Sequence, residues 1–206
     1  MSARYRSVLI FGAPGVGKGT QGKLLGAVPG FYHLSTGDIF RSLDPDSETG
    51  RIFHAYSTRG ELVPDEFTIR LWREHVKKLI PAGKFDPQRH LLILDGIPRN
   101  ASQAEQMDGD IEVLKIVHLV AGDEAVLLER MQRRARRENR HDDADEGVIR
   151  NRWNVYNRET LPVLEHYGDE RCAEIDAIGS PGRVLIDVLQ AVVPVHEERF
   201  GNVLEE

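Results

Sequence analysis

Residues 8–20 read VLIFGAPGVGKGT, and this stretch decides the fold. Its first four residues form a short apolar run, which is typical of a parallel strand that is buried on both faces. The loop that follows carries Lys18 and four glycines, at Gly12, Gly15, Gly17 and Gly19. The glycines allow the backbone to fold into a cup of inward-pointing N–H groups, and the lysine adds a positive charge at its rim. A strand, this loop and a following helix therefore predict a binding site for nucleotide phosphates.

The loop departs from the general phosphate-binding motif at one position. That motif has Ser or Thr directly after the lysine, whereas here Gly19 follows Lys18 and Thr20 comes one place later. A structural glycine turn is the alternative interpretation. The context favours phosphate binding, because a second apolar run, at residues 91–94, ends in Asp95. A carboxylate at such a strand end is suited to hold Mg²⁺ beside a phosphate loop.

The bulk composition excludes several classes of protein. The chain has 206 residues, enough for one good core with small insertions, and its formal net charge of -6 argues against a general nucleic-acid binder. Its apolar runs are far shorter than a membrane span. The single cysteine, Cys172, excludes an internal disulfide and a cysteine-rich zinc site, and the eight histidines lack ligand spacing. We therefore expect a cytoplasmic protein that holds no zinc and binds neither nucleic acid nor membrane.

Five apolar runs alternate with helical segments along the chain: residues 8–11, 31–34, 91–94, 116–120 and 172–175. This alternation predicts an α/β fold, with five parallel strands in one sheet and helices on both faces. In such sheets, ligands bind beyond the carboxyl ends of the strands. Three strand ends carry suitable residues, namely the glycine loop, the sequence STGD at 35–38 and the pair Asp95-Gly96.

Two polar segments are predicted to be insertions at this edge of the sheet. One spans residues 35–63 and is rich in turn-forming residues, and the other spans residues 133–143 and is intensely charged. The core domain is predicted to consist of the remaining residues, 1–34, 64–132 and 144–206. The tail beyond residue 193, which begins with Pro194, is expected to be peripheral.

Six arginines lie between residues 130 and 140: Arg130, Arg133, Arg134, Arg136, Arg137 and Arg140. A solvated helix face is one interpretation of this run. An RNA-binding patch is another, although no aromatic residues are interleaved for base stacking. The functional interpretation is a clamp on polyphosphate, because guanidinium groups match phosphate oxygens bidentately and remain charged. About half of these arginines are expected to be solubilising surface residues.

Three further arginines stand outside this run. Arg152 lies on an otherwise apolar helical stripe, so its partner is either a bound anion or a carboxylate of the protein, and both remain open. Arg99 follows Asp95 closely enough to meet a substrate phosphate, and Arg41 can reach the same cavity from the first insertion. Positive groups on separate segments favour phosphoryl transfer between two bound nucleotides, because that reaction needs alignment, Mg²⁺ and positive charge around the transferred group.

The chain resembles the adenylate kinase family over nearly its whole length, about residues 6–192. Seven stretches carry the resemblance, in the order of the family: GAPGVGKGTQ at 12–21, LSTGDIFR at 34–41, GELVPDE at 60–66, LILDGIPRNASQA at 92–104, ERMQRR at 129–134, RHDD at 140–143 and IRNRW at 149–153. The order Gly19-Thr20 is this family's own form of the loop. The resemblance implies a P-loop kinase core with a helical monophosphate-binding insertion and a short lid that lacks a zinc-binding segment, and we expect a monomer.

The resemblance also implies roles for individual residues. The expected ATP-binding residues are Gly15, Val16, Gly17, Lys18, Gly19, Thr20, Arg134 and Gly179. The expected AMP-binding residues are Thr36, Arg41, Glu61, Leu62, Val63, Gly96, Ile97, Pro98, Arg99, Gln103, Arg140 and Arg152. The expected catalytic residues are Lys18, Arg99, Arg134, Arg140 and Arg152, and Asp95 is expected to hold Mg²⁺ through water. One extra residue after Asp143 makes Arg150 an alternative to Arg152, but the Arg-Trp pair at 152–153 favours Arg152.

The resemblance indicates the acceptor nucleotide as well. The related UMP/CMP kinases usually have Ala in place of Thr36 and Asn in place of Gln103, and a Gln amide offers an adenine edge both a donor and an acceptor. The sequence therefore predicts the conversion of ATP and AMP into two ADP with Mg²⁺. A UMP/CMP kinase remains an alternative, because residues 98–100 read PRN, as in those enzymes. Asn100 can, however, also cap a helix. A nucleotide-sensing protein without catalysis is a further alternative, but it would not need the phosphate-clamping arginines.

Overall fold

The computed structural model describes residues 4–138, 140 and 143–200 of the chain. At its centre lies a five-stranded sheet with the strand order β2-β3-β1-β4-β5. The strands are β1 (Tyr5–Gly12), β2 (Phe31–Ser35), β3 (Leu91–Asp95), β4 (Ile111–Val120) and β5 (Cys172–Asp176). Every neighbouring pair in this sheet is parallel, which confirms the predicted α/β fold.

Helices cover both faces of the sheet. They are α1 (Lys18–Leu25), α2 (Thr36–Arg41), α3 (Glu48–Ser57), α4 (Asp65–Leu79), α5 (Ala101–Met107), α6 (Glu124–Glu138), α7 (Glu146–Val155), α8 (Val163–Tyr167) and α9 (Pro181–Phe200). Successive residues of β1 alternate between two apolar clusters, with Val8 and Ile10 in one and Leu9 and Phe11 in the other. Because side chains alternate in direction along a strand, each cluster lies on one face of the sheet.

The carboxyl ends of three strands meet at one edge of the sheet. All five residues of β3 are buried, and each buried Leu or Ile side chain stabilises the fold by about 1.5–3 kcal/mol. The register places Ile10 of β1 and Ser35 of β2 beside Asp95, the last residue of β3. The buried strands therefore hold the polar residues that follow them in fixed positions.

The first predicted insertion, residues 35–63, contains α2 and α3. Each helix begins after a serine whose side-chain oxygen accepts a backbone N–H bond from the first turn. Phe40 of α2 stacks on Phe53 of α3, with ring centroids 4.9 Å apart, and on Phe67 of α4, at 6.2 Å. These stacked rings attach the insertion to the core through α4.

The second predicted insertion, residues 133–143, begins inside a helix, because α6 continues to Glu138. Residues 139, 141 and 142 lie outside the described residues. The bounds of both insertions, and of the core domain around them, stay predictions.

The chain beyond residue 193 is not peripheral up to Phe200, so that expectation is wrong. Helix α9 continues through Pro194, and His196 is 6 % exposed and stacks on Phe31, with ring centroids 4.8 Å apart. The buried Val192 and His196 anchor the helix on both sides of the proline, and this packing outweighs the lost backbone hydrogen bond. Within the described ranges, none of the helices combines the length and apolar character needed to cross a membrane.

Candidate active site

A cavity of about 1130 Å³ opens at the carboxyl ends of β1, β2 and β3. It exceeds the roughly 300–1,000 Å³ that is usual for the pocket of one small molecule. Its lining includes almost all the predicted site residues: Gly15, Val16, Gly17, Lys18, Gly19, Thr20, Thr36, Arg41, Glu61, Leu62, Val63, Asp95, Gly96, Pro98, Arg99, Gln103, Arg134, Arg140, Arg152 and Gly179. Ile97 is the exception, because its side chain is 2 % exposed and belongs to the same apolar cluster as Leu94.

The glycine loop presents the N-terminus of α1 to this cavity. The helix begins at Lys18 without a side-chain cap and has no acidic residue in its first turn. Its unpaired N–H groups and the positive end of its dipole therefore suit an anion. Glycine is favoured at position 15 by its backbone conformation, since φ is +90°. It is also favoured by close packing against α6, since a Cβ there would lie 2.8 Å from the carbonyl oxygen of Leu127.

Lys18 folds back over the end of β1. Its ammonium group, Nζ, donates to the carbonyl oxygens of Gly12 at 2.6 Å and Ala13 at 3.2 Å. Burial lowers the pKa of Lys18 to about 7, a shift that Asp95 opposes and three nearby arginines increase. A phosphate group in the loop would favour the charged form of the lysine, because an opposite charge nearby raises the pKa of an amine.

Asp95 ends β3 and is 8 % exposed. Burial by itself raises the pKa of this carboxyl group, but His33, Lys18 and Arg99 together lower it by more, so that the group is ionised at neutral pH. The phosphate loop lies next to it, since a Cβ built on Gly19 would be 3.5 Å from Oδ2 of Asp95. An ionised carboxylate beside a phosphate loop fits a Mg²⁺ ion that takes its other ligands from phosphate and water. No cluster of three or more His, Cys, Asp or Glu in the described part of the chain is arranged to hold a metal by itself.

Asp143 joins two of the cavity's arginines. This carboxylate is fully buried and accepts hydrogen bonds from Nε of Arg134 at 2.6 Å and Nη1 of Arg152 at 2.5 Å. Burial raises the pKa of Asp143, but these two arginines and Arg140 lower it by more. Arg152 therefore has the carboxylate partner that the sequence left open, and it also lines the cavity. Because one carboxylate contacts both guanidinium groups, the two arginines are positioned together.

Arg140 adds a further positive charge to this group. Its side chain is 14 % exposed, and its Nε lies 2.8 Å from a carboxylate oxygen of Glu138. Burial lowers the pKa of Arg140, and the neighbouring charges of Arg41 and Arg134 lower it further. A guanidinium group nevertheless stays charged at neutral pH. Arginines from three separate segments thus repel one another across the cavity, and an anion between them would relieve this repulsion.

The structure distinguishes Arg152 from Arg150. Arg150 is exposed and pairs with Glu146 one turn earlier, with Nη2 and Oε1 2.6 Å apart, and it lies outside the cavity lining. Arg152 instead packs against the end of the first insertion, because a Cβ on Gly60 would lie 2.8 Å from its Cγ. Gly60 has a φ of +70°, so glycine is favoured there by conformation as well as by space.

A second polar pocket of the cavity surrounds Gln103. Its oxygen, Oε1, accepts the backbone N–H of Arg99, and its nitrogen, Nε2, donates to Oδ1 of Asp65, both at 2.8 Å. Asn100 caps α5 by accepting the backbone N–H of Gln103, and its own amide donates to the same oxygen of Asp65 at 2.8 Å. The predicted helix-capping role of Asn100 is therefore confirmed.

Residues 10–172 match the protein-family model described as adenylate kinase. The chain belongs to the adenylate kinase family. An adenylate kinase from Thermobifida fusca is 39% identical over 178 residues, which cover 84% of this chain and 90% of that protein. The adenylate kinase of Flavobacterium psychrophilum is 35% identical over 181 residues, covering 84% of this chain and 91% of its own length. That of Kocuria rhizophila is 35% identical over 191 residues, covering 90% and 97%.

Membership of the adenylate kinase family confirms the resemblance drawn from the seven motifs. Sequence reasoning nevertheless assigned no individual role to several residues of the cavity lining, and Arg130 is one of them. Arg130 donates to the carbonyl oxygen of Ala177 at 3.2 Å and lines the same end of the cavity as Gly179. The signal was its spacing, because Arg130 precedes Arg134 by one helical turn and so shares its face of α6. Arg133, Arg136 and Arg137 are exposed, as was expected for about half of the run, but Arg133 and Arg137 also line the cavity.

Proposed function

We propose that this chain catalyses the reversible transfer of the terminal phosphoryl group of ATP to AMP, which yields two molecules of ADP. The observation that carries the proposal is one cavity whose lining includes the phosphate loop, the residues around Gln103 and arginines from separate segments. A protein that binds a single nucleotide would not need the second pocket. The relatives named adenylate kinase support the same reaction.

The donor, ATP, binds at the end of the cavity formed by the glycine loop. Residues 15–20 cradle its phosphates with backbone N–H groups, and the charge of Lys18 faces the transferred group. Arg134 contacts the donor phosphates, and the backbone at Gly179 meets the base. The uncapped N-terminus of α1 supports this placement.

The acceptor, AMP, binds in the pocket around Gln103. Gln103 and Thr36 contact the base, together with the backbone at residues 61–63 and 96–98. Arg41 and Arg99 hold the phosphate, since both line the cavity. An acceptor bound there directs its phosphate toward the phosphate loop across the edge of the sheet.

The transfer needs no proton acceptor. An oxygen of the AMP phosphate attacks the γ-phosphorus of ATP, and the bond from that phosphorus to the β–γ bridging oxygen breaks, which leaves one ADP in each site. Lys18, Arg140 and Arg152 stabilise the negative charge on the oxygens of the transferred group. Asp95 would hold Mg²⁺ through water, and the ion would supply further positive charge beside the phosphates of ATP.

The two insertions, residues 35–63 and 133–143, act as flaps that close over the nucleotides. Closure expels water, which would otherwise compete with AMP as the phosphoryl acceptor. The packing of Gly60 against Arg152 supports this role, because it connects the end of the first insertion to the helix that carries a phosphate-binding arginine. The cytoplasmic location and the monomeric state remain predictions from the sequence.

The test is a coupled assay of ADP production with ATP and Mg²⁺, in which AMP, CMP, UMP and GMP are compared as acceptors. We expect turnover with AMP to exceed that with the other three. Faster turnover with CMP or UMP would instead identify a pyrimidine nucleotide kinase. Nucleotide binding without turnover of any acceptor would identify a sensor.

A further inference from the structure

The amide group of Gln103 is held by two partners of opposite polarity. Its oxygen faces the backbone N–H of Arg99, which can only donate, at 2.8 Å. Its nitrogen faces a carboxylate oxygen of Asp65, which can only accept, also at 2.8 Å. The side chain is 1 % exposed, so no solvent water competes for these bonds.

The two partners together fix which way the amide points. A rotation of the amide by 180° would place its NH₂ group against the N–H of Arg99 and its oxygen against the carboxylate of Asp65. Both contacts would then be repulsive, and two buried hydrogen bonds would be lost, one of them to a charged group. Asp65 is therefore as important as the backbone in setting the orientation of Gln103.

Asp65 itself is held in place from a second side. It is the first residue of α4, and Asn100 donates to the same carboxylate oxygen at 2.8 Å. Asp65 does not line the cavity, but it contacts Gln103, which does, so it can act on a bound nucleotide through that residue. After the two fixed bonds, the amide of Gln103 retains one N–H and one oxygen lone pair for a ligand.

A fixed amide distinguishes amino from oxo bases. At the Watson–Crick edge, a 6-aminopurine has an acceptor at N1 and a donor at its amino group. A 6-oxopurine has a donor at N1 and an acceptor at its oxygen, which is the reverse arrangement. An amide that could rotate would match either edge, whereas an amide of fixed orientation matches only one when sugar and phosphate are held in place.

We infer that Asp65 is a positioning residue that fixes the amide of Gln103 and thereby selects a 6-aminopurine over a 6-oxopurine as the acceptor base. This inference rests on the proposed function, in which AMP is the acceptor. The minimal pair for testing it is AMP and IMP, because they differ only at position 6 and in the proton at N1.

The decisive variant is Asp65→Asn, which keeps the size of the side chain and can present either an oxygen or an NH₂ group to Gln103. We expect the ratio of kcat/KM for AMP to that for IMP to fall by about tenfold, the effect of mismatching one buried hydrogen bond. The KM for ATP and the kcat at saturating AMP should stay near those of the unmodified chain. Dissociation constants for AMP and IMP provide a second readout that needs no turnover.

Two further variants separate positioning from a structural role. Glu66→Gln removes the next carboxylate in the first turn of α4. Glu66 is exposed, so this variant should leave the AMP/IMP ratio unchanged. Asn100→Ser keeps a cap for α5 but removes one hydrogen bond to Asp65, and it should lower the ratio by about threefold. This variant also tests the inference if Asp65→Asn folds poorly.

The outcomes for the inference and for the proposed function are distinct. An unmodified chain that forms no ADP from AMP overturns the proposed function and the inference with it. An active chain whose AMP/IMP ratio is unchanged in Asp65→Asn, with only a lower melting temperature, overturns the inference alone and leaves Asp65 a structural residue. An equal fall in Glu66→Gln would also overturn it, by showing that the charge of the helix end is responsible.

Discussion

The two ends of the cavity are built from different chemical groups. The proposed donor end consists of backbone N–H groups and the charge of Lys18, whereas the proposed acceptor end places the buried amide of Gln103 between two fixed partners. Backbone groups and point charges stabilise phosphate whatever base is attached to it. A buried side-chain amide distinguishes one base edge from another. We therefore expect the groups at the proposed donor end to affect mainly the rate, and those at the proposed acceptor end to affect mainly the selectivity.

Arginines from separate segments also line the cavity, and on the proposed function we expect them to affect the rate. Asp143 holds Arg134 and Arg152 in one arrangement, so their positive charges are in place before nucleotide binds. Charge that is already in position needs no reorganisation during transfer. Substitutions of charged groups should accordingly change turnover by orders of magnitude, and substitutions in the Gln103 pocket should mainly change the preference among acceptors.

The largest effect is expected for Lys18→Ala. This variant removes the only charged side chain of residues 12–20, so we expect kcat/KM to fall by about 10⁴-fold while the circular dichroism spectrum stays unchanged. Lys77→Ala, at an exposed position of α4 outside the cavity, is the matched control and should retain full activity. Turnover of Lys18→Ala within tenfold of the unmodified chain would show that the loop's backbone alone stabilises the transferred group.

Arg152→Ala should have the next largest effect. We expect kcat to fall by about 10³-fold, as when an arginine that stabilises a transferred phosphoryl group is removed. Arg150→Ala is the control, because Arg150 lies two residues away on the same helix but pairs with Glu146 at the surface. Equal losses in the two variants would contradict the assignment of the transfer role to Arg152.

The sequence was sufficient for those parts of the molecule that depend on local pattern. The apolar runs predicted all five strands, and the glycine loop and the end of β3 identified the edge where the cavity lies. The helix at residues 65–79 is also marked by local pattern, because a proline precedes it and an apolar stripe runs along it.

The parts that the sequence did not reveal depend on contacts between distant residues. Asp65 and Gln103 are 38 residues apart, and no local pattern marks them as partners. The charged run around Asp143 likewise did not show which carboxylate is buried between two arginines. The continuation of α9 past Pro194 follows from packing against β2, which outweighs the local preference of proline to end a helix.

A smaller effect, on selectivity, is expected at the acceptor end. In the double variant Thr36→Ala/Gln103→Asn, the shorter amide can no longer contact both Arg99 and Asp65. We expect the ratio of kcat/KM for AMP to that for CMP to fall by about tenfold. Gln106→Asn, an exposed amide on the same helix, should leave the ratio unchanged. An unchanged ratio in the double variant would mean that the acceptor base is not recognised by these side chains, and the contrast between the two ends of the cavity would disappear.

The smallest effect concerns the pH dependence of donor binding. The pKa of Lys18 is lowered to about 7 in the free protein, mainly by burial, and bound phosphates should raise it. Binding above pH 7 then requires the uptake of a proton, so the affinity for ATP should fall as the pH rises, by about fivefold between pH 7 and pH 8. His118, which also lies near Lys18, has a lowered pKa because of burial and stays neutral over this range.

Titration calorimetry in two buffers of different ionisation enthalpy would measure an uptake of about one proton per ATP at pH 8. Lys18→Arg, whose guanidinium stays charged, should show neither the proton uptake nor the weakening, and the ionisation of ATP itself is the same for both proteins. If both proteins show the same pH dependence, Lys18 is already charged in the free loop. The two ends of the cavity would then differ in the groups that form them, but ATP binding would not change the charge of the donor end.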